Sequence, residues 1–258
     1  AKCYVTTANA FNQKHLGKHA MMKKLAVAVA TASTLSFANM AHAEAYDTAI
    51  GEMDVSMTAT LATDYIWRGQ SQTDGVGAIQ GSLDIAHESG LYIGAWASNI
   101  DSEDFGGSSV EIDYYAGYGG VITDDITYDL SWATYTYPKN SEIDYDEALA
   151  SVSLYGFTLG ANYAYDPQSQ LYTYIDYGFA LPYDIGLGLH YGLTDTKDPL
   201  DGVSGDEKYG DWAVSIGKNM LGLDVALMYS DTDLGDDCGY SSKDSCDSNF
   251  TLSVSKTL

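Results

Sequence analysis

The chain has 258 residues, 36 of them acidic and 12 basic, for a formal net charge of −24. An acidic surplus of that size argues against nucleic acid and anionic lipid surfaces as partners. Tyrosine is abundant at 22 residues, and Arg68 is the only arginine.

The chain does not begin with Met, and Ala1 to Ala20 shows neither alternation nor an acidic residue. Residues 1–20 are therefore expected to be an upstream extension, outside the mature protein. Residues 21–43 have the form of a signal peptide: Met21-Met22, then Lys23-Lys24, an apolar run from Leu25 to Phe37, and Ala41-His42-Ala43. Cleavage is expected between Ala43 and Glu44. The apolar run is broken by Thr31, Ser33, Thr34 and Ser36 and is too short to span a bilayer comfortably. From Glu44 onward the charge is −29, seven basic residues against thirty-six acids. No later apolar run approaches the ~18 residues of a membrane helix. The exported chain is then either a soluble β-sandwich or a membrane barrel.

Alternation of period two runs through residues 44–258, and side chains that alternate face by face mean strand. Twelve strands are predicted: Asp54–Trp67, Ala78–His87, Leu91–Asn99, Ser109–Gly119, Ile126–Tyr137, Tyr145–Leu154, Phe157–Tyr165, Leu171–Leu181, Ile185–Thr194, Tyr209–Lys218, Leu221–Ser230 and Asn249–Leu258. Most approach the ~9–11 residues of a tilted membrane strand. The odd connections are long and polar, as in Arg68–Gly77 and Asp231–Ser248. The even ones are short, as in Glu88–Gly90, Gly120–Asp125 and Asn219-Met220. A sandwich has no reason to obey that rule, whereas an up-and-down barrel does. The predicted fold is all-β: a membrane-spanning, up-and-down antiparallel β-barrel of about twelve strands with both termini periplasmic.

One face carries Met57, Leu61, Tyr65 and Trp67, then Ile79, Leu83 and Ile85, and continues in the same manner to Leu227 and Tyr229. Aliphatics sit mid-strand and aromatics toward the ends, the order of a lipid-facing wall. The other face holds small and polar residues together with nine acids expected to line a pore: Asp64, Asp84, Glu111, Asp113, Asp129, Glu147, Asp176, Asp211 and Asp224. Chain direction puts Asp64, Glu111, Asp113, Glu147 and Asp211 in the outer half, and Asp84, Asp129, Asp176 and Asp224 in the periplasmic half. No basic belt opposes them, and unpaired carboxylates need water. Arg68 is expected at the outer rim, near Asp64 or a loop acid. Inward glycines such as Gly94, Gly117, Gly160 and Gly192 would leave space, and inward Tyr92, Trp96, Tyr115, Tyr135, Tyr172 and Tyr174 would fill it. His190 faces inward as well, and reads as a packed residue rather than a catalytic one.

The stretch Thr63–Asp101 also carries a family likeness. Asp64, Tyr65, Arg68, Gly69, Ser71, Gln72 and Thr73 are followed by His87, Glu88, Ser89, Gly90, Leu91, Tyr92, Gly94, Trp96, Ser98 and Asn99. In this pattern the chain resembles the TorF-family porins. The resemblance implies an outer-membrane barrel of porin type, and brings no catalytic residues with it.

Cys238 and Cys246 stand eight apart in the final long connection and are expected to form a disulfide in an exported protein. Acids crowd the last two long loops: Asp195, Asp198, Asp201, Asp206 and Glu207, then Asp231, Asp233, Asp236 and Asp237. They fail the calcium-loop pattern, which leaves only loose divalent binding between loops. No serine or histidine lies in a nucleophile motif, so neither an enzyme nor a cofactor is expected. The sequence thus implies a bacterial outer-membrane channel for small solutes or ions, preferring cations. The alternative is a structural or adhesive barrel with an occluded lumen. Expected partners are outer-membrane lipid and lipopolysaccharide, the barrel-assembly machinery, and the ions or solutes themselves.

Overall fold

The computed structural model describes residues 44–166, 169–196, 207–235, 238, 240 and 242–258. The expected extension and signal peptide, with Ala43 of the cleavage site, lie outside the described residues. So do Asp198, Asp201, Asp206, Asp236 and Asp237.

The described strands are, in chain order, β1 (Glu44–Thr48), β2 (Gly51–Ala62), β3 (Ile66–Trp67), β4 (Gln70–Ser71), β5 (Ala78–His87), β6 (Leu91–Asn99), β7 (Val110–Thr123) and β8 (Ile126–Thr136). They continue as β9 (Tyr145–Leu154), β10 (Phe157–Asp166), β11 (Gln170–Leu181), β12 (Ile185–Thr196), β13 (Glu207–Met220), β14 (Leu223–Thr232) and β15 (Asn249–Thr257). β2 and β5 to β15 form a closed antiparallel barrel of twelve strands: each pairs with the next, and β15 returns to β2. Closure leaves no open edge in the wall, as a bilayer requires. β1 pairs with Gly51–Val55 of β2, and β15 pairs with Thr58–Ala62 along the same edge. Leu258 exchanges backbone hydrogen bonds with Met57, so both ends of the described chain lie at the short-turn end.

The outer wall is apolar. Met57, Leu61, Ile79, Leu83, Leu130, Leu159, Leu189 and Leu227 are all exposed on it. Aromatic rings border this belt at both ends. Toward the long loops, Trp132 donates its indole N–H to Tyr165 (2.9 Å), and Trp212, Tyr229 and Phe250 form a chain of ring contacts at 5.4 and 4.7 Å. Toward the short turns, Tyr118 meets Tyr128, and Phe157, Tyr177 and Phe179 follow one another. Amphipathic rings belong where hydrocarbon gives way to water.

Most strand limits differ from the sequence reading by a few residues, and three of the differences have a clear local reason. β13 runs to Met220, and the turn falls on Leu221-Gly222, both at positive φ (56° and 78°). A two-residue hairpin turn of the primed type needs that pair of angles, and glycine supplies the second at no steric cost. β7 runs past Gly119-Gly120 to Thr123 with a bulge at Val121–Thr123, so those glycines belong to the strand. The largest difference is at the first barrel strand. β2 stops at Ala62, and Tyr65 and Trp67 do not continue its lipid face. The chain turns inward there.

Candidate functional site

Between β2 and β5, residues 63–77 fold into the lumen as a miniature hairpin, β3 pairing with β4 through Ile66–Ser71 and Trp67–Gln70. Its two-residue turn is Arg68-Gly69, with φ of 48° and 78°. A Cβ at position 69 would stand 2.8 Å from that of Asp211 and 3.0 Å from that of Thr232, so the tip is pressed against β13 and β14. Arg68 reaches the far wall. It donates to Glu147 of β9 and to Gln170 of β11, both at 2.6 Å. These strands stand about halfway round the closed sheet from the β2–β5 connection. The guanidinium also lies 4.0 Å from the ring centre of Trp67 and 4.4 Å from that of Tyr172.

The Arg68 and Glu147 side chains have no solvent exposure. A charge held so far from water is tolerable only when paired. Burial lowers the Arg68 pKa, but the Glu147 carboxylate together with Tyr145, Tyr135 and Tyr209 outweighs it and the net shift is upward. The expectation that Arg68 sits at the rim is corrected: it is a lumen residue, and its partner is a wall acid rather than Asp64. The hairpin's base is held separately. Asp64 accepts hydrogen bonds from Ser71 and Thr73 (both 2.7 Å) and from Asn249. Burial pushes the Asp64 pKa up, against those hydrogen bonds.

The hairpin touches the wall on both flanks. On one side Tyr65 packs edge-on against Trp96 at 5.2 Å within a cluster that includes Tyr115, Tyr135 and Tyr137. On the other, Ile66 joins Ala213 and Met228. The final long connection lies over it. Tyr240 donates to Gln72 (3.0 Å), and Cys246, joined to Cys238 by a disulfide, directs its Sγ toward Gln70.

The nine acids singled out from the sequence fall into groups. Glu111 and Asp113 are neighbours on the inner face of β7, both almost fully buried, with Asp113 Oδ1 lacking a hydrogen-bond partner. Glu147 holds Arg68. Asp64 closes the hairpin base. Asp176 and Asp211 flank His190 at 2.6 and 2.9 Å. Asp84 and Asp129 stand toward the short-turn end, and Asp224 accepts from Asn219 at that rim.

A rule unites most of them. Tyr65 donates to Glu111 (3.4 Å), Tyr92 to Asp129 (2.9 Å), Tyr135 to Glu147 (3.2 Å), Tyr172 to Asp211 (3.3 Å), and Tyr115 to Asp84. Phenols thus stabilise carboxylates without neutralising them. The inward glycines serve these rings. A Cβ on Gly94 would strike Tyr115, one on Gly117 would strike Tyr92, and one on Gly160 would strike Tyr174. Of the two opposing tendencies in the sequence, at Gly94, Gly117 and Gly160 the tyrosines fill the space that the glycines leave. Neither the hairpin nor this pairing was found from the sequence. The available signals were a lone arginine in an Arg-Gly pair and tyrosines opposite glycines at matching strand positions.

Three comparisons with known proteins bear on this architecture. No curated protein matches the sequence. Among solved structures the fold is similar to that of the KdgM porin, at 8% identity and a TM-score of 0.51, covering 79% of this chain and 99% of that one. It is also similar to the NanC porin, at 8% identity and a TM-score of 0.54, covering 79% and 98%. A second KdgM structure, described as a complex with disordered oligogalacturonate, superposes with a TM-score of 0.52. At such identity the likeness is one of fold. A closed twelve-strand barrel with an apolar belt between aromatic girdles, sharing the fold of outer-membrane porins, is a protein of the bacterial outer membrane. Residues 46–258 match a family described as "Bacterial protein of unknown function (Gcw_chp)", and the chain belongs to that family.

Proposed function

We propose that this protein is a narrow, cation-preferring outer-membrane channel whose constriction is the Thr63–Gly77 hairpin. The observation that carries the proposal is the charge of the lumen. Of the two inward cations among the described residues, Arg68 is spent on Glu147, and His190 lies between Asp176 and Asp211. Asp84, Glu111 and Asp129 have phenolic or hydroxyl partners, Glu111 and Asp113 also meet each other, and Asp113 Oδ1 has no partner. Uncompensated carboxylates in a narrow low-dielectric passage raise the local cation concentration. Oligogalacturonate is a polyanion, and a wall of this sign would repel it. The ligand of the KdgM complex is therefore not carried over. The proposed solutes are small cations or small neutral molecules.

The likeness to TorF-family porins is supported by the residues of the hairpin itself: Asp64, Arg68, Gly69, Ser71 and Thr73 all have structural tasks in it. The short turns and both termini are assigned to the periplasm, by the habit of outer-membrane barrels. Assembly machinery and lipopolysaccharide are the partners that such a location entails. A second reading has its own support: the hairpin meets both lumen walls, which favours a barrel that is closed at rest.

Reversal potentials across a planar bilayer under a KCl gradient test the proposal. A potential favouring potassium is expected, and a smaller one once Asp84 and Asp129 are changed to Asn. A chloride-favouring potential would contradict it.

A further inference from the structure

Beneath the hairpin tip, β11, β12 and β13 bring a second charged group into the lumen. His190 Nδ1 lies 2.6 Å from Asp176 Oδ1, and Nε2 lies 2.9 Å from Asp211 Oδ1 and 2.8 Å from the Tyr172 hydroxyl. The side chains of His190 and Asp211 are 8% and 3% exposed. An ionised carboxylate only accepts hydrogen bonds. Two carboxylates on the two ring nitrogens therefore call for N–H at both, which is the imidazolium. The second oxygen of Asp211, Oδ2, is buried without a hydrogen-bond partner. Gly192 leaves room for it: a Cβ there would stand 2.5 Å away.

The same group supports the hairpin. Tyr172 is completely buried, with its ring under the Arg68 guanidinium and its hydroxyl on His190. Asp211 carries the Cβ against which Gly69 sits. When His190 holds two protons, Nε2–H is shared between Asp211 and Tyr172, and the Tyr172 hydroxyl donates to Asp211. When one proton leaves and Nδ1–H stays on Asp176, Nε2 becomes an acceptor. It then accepts the hydrogen bond of the Tyr172 hydroxyl and faces the Asp211 carboxylate with a lone pair. Asp211 is left as a buried anion with no donor, a state it can relieve only by moving.

We infer that His190 is a proton-binding site that keeps the hairpin docked, a positioning residue acting through Tyr172 and Asp211 on Arg68 and Gly69. This rests on the reading of the hairpin as the channel's constriction. The ionisable groups facing His190 are Tyr172, Tyr174 and Asp176 from β11 and Asp211 from β13, with Arg68 of the hairpin beyond Tyr172. The docked form holds the proton. Docking is therefore strongest below the pKa that His190 has when the hairpin is undocked, and weakens by up to about tenfold per pH unit, when one proton is linked, until pH passes the docked-state titration.

Two measurements on the intact protein from outer membranes test the inference without needing current. Nitrogen-15 histidine NMR, assigned with His190→Gln, should show both ring nitrogens of His190 protonated at neutral pH. A neutral tautomer there would overturn the inference. Hydrogen exchange of the Ile66–Thr73 amides, corrected for intrinsic rate, should lose protection by up to about tenfold per pH unit as pH rises toward that titration, and level off above it. His190→Arg, which keeps the positive charge, should abolish the pH step. A step retained in His190→Arg, or no step in the wild type, would overturn it. An absence of conductance would count against the channel reading alone and leave these results standing.

Discussion

At the scale of single residues, the buried pair Arg68–Glu147 governs the lumen. Its two members come from opposite walls, and neither touches solvent. Removing one partner strands the other as a buried charge, which costs about 3–5 kcal/mol. Arg68→Ala and Glu147→Ala should each weaken hairpin docking by that order, read by hydrogen exchange of residues 66–73. Arg68→Met combined with Glu147→Leu should recover most of the loss, because an apolar pair leaves no stranded charge. Equal losses in the single and paired variants would show that the pair has no special weight. On the outer wall, Leu83 is exposed toward lipid while Ser82 faces the lumen and bonds Asp84. Leu83→Lys should therefore cost ~2–4 kcal/mol in unfolding from vesicles, and Ser82→Lys far less. Equal costs would mean that the faces are exchanged.

At the scale of elements, part of the final long connection stacks on the hairpin. The disulfide-closed segment rests on the hairpin through Tyr240 and Gln72, and the hairpin rests on the far wall. The Cys238–Cys246 link closes a short loop, for which chain entropy gives about 2–3 kcal/mol. Cys238→Ser with Cys246→Ser should lower unfolding stability by that amount and raise exchange at Gln72. Unchanged exchange there would show that the lid does not brace the hairpin. The barrel strands were legible in the sequence because each shows one face to lipid, and a period of two survives wherever one face is apolar. Ala78–His87, Leu91–Asn99 and Tyr145–Leu154 coincide with β5, β6 and β9 to the residue. The hairpin was not legible, for a related reason. Asp64, Tyr65, Ile66 and Trp67 continue the alternation of β2, and nothing local distinguishes an aromatic that meets lipid from one that meets Trp96. The distinction lies in partners far along the chain, Glu147, Gln170 and Asp211, which periodicity cannot register. His190 reads as a packed residue in the sequence for the same reason: its two acids sit on neighbouring strands, 14 and 21 residues away.

At the scale of the whole molecule, the composition follows from the architecture. Aromatic girdles and lumen phenols together account for much of the tyrosine, and water-facing acids on wall and loops account for the charge. A lumen satisfied by phenols retains its negative field, whereas one satisfied by arginines would lose it. The hairpin then decides whether that field conducts. Single-channel conductance in a planar bilayer, comparing the intact protein with a variant in which Ile66–Ser71 is replaced by a short Gly-Ser link, tests this most directly. The account predicts small or rare openings for the intact protein, and a larger, steadier, potassium-favouring conductance for the variant. Identical conductance in the two, or no current in either, would contradict it.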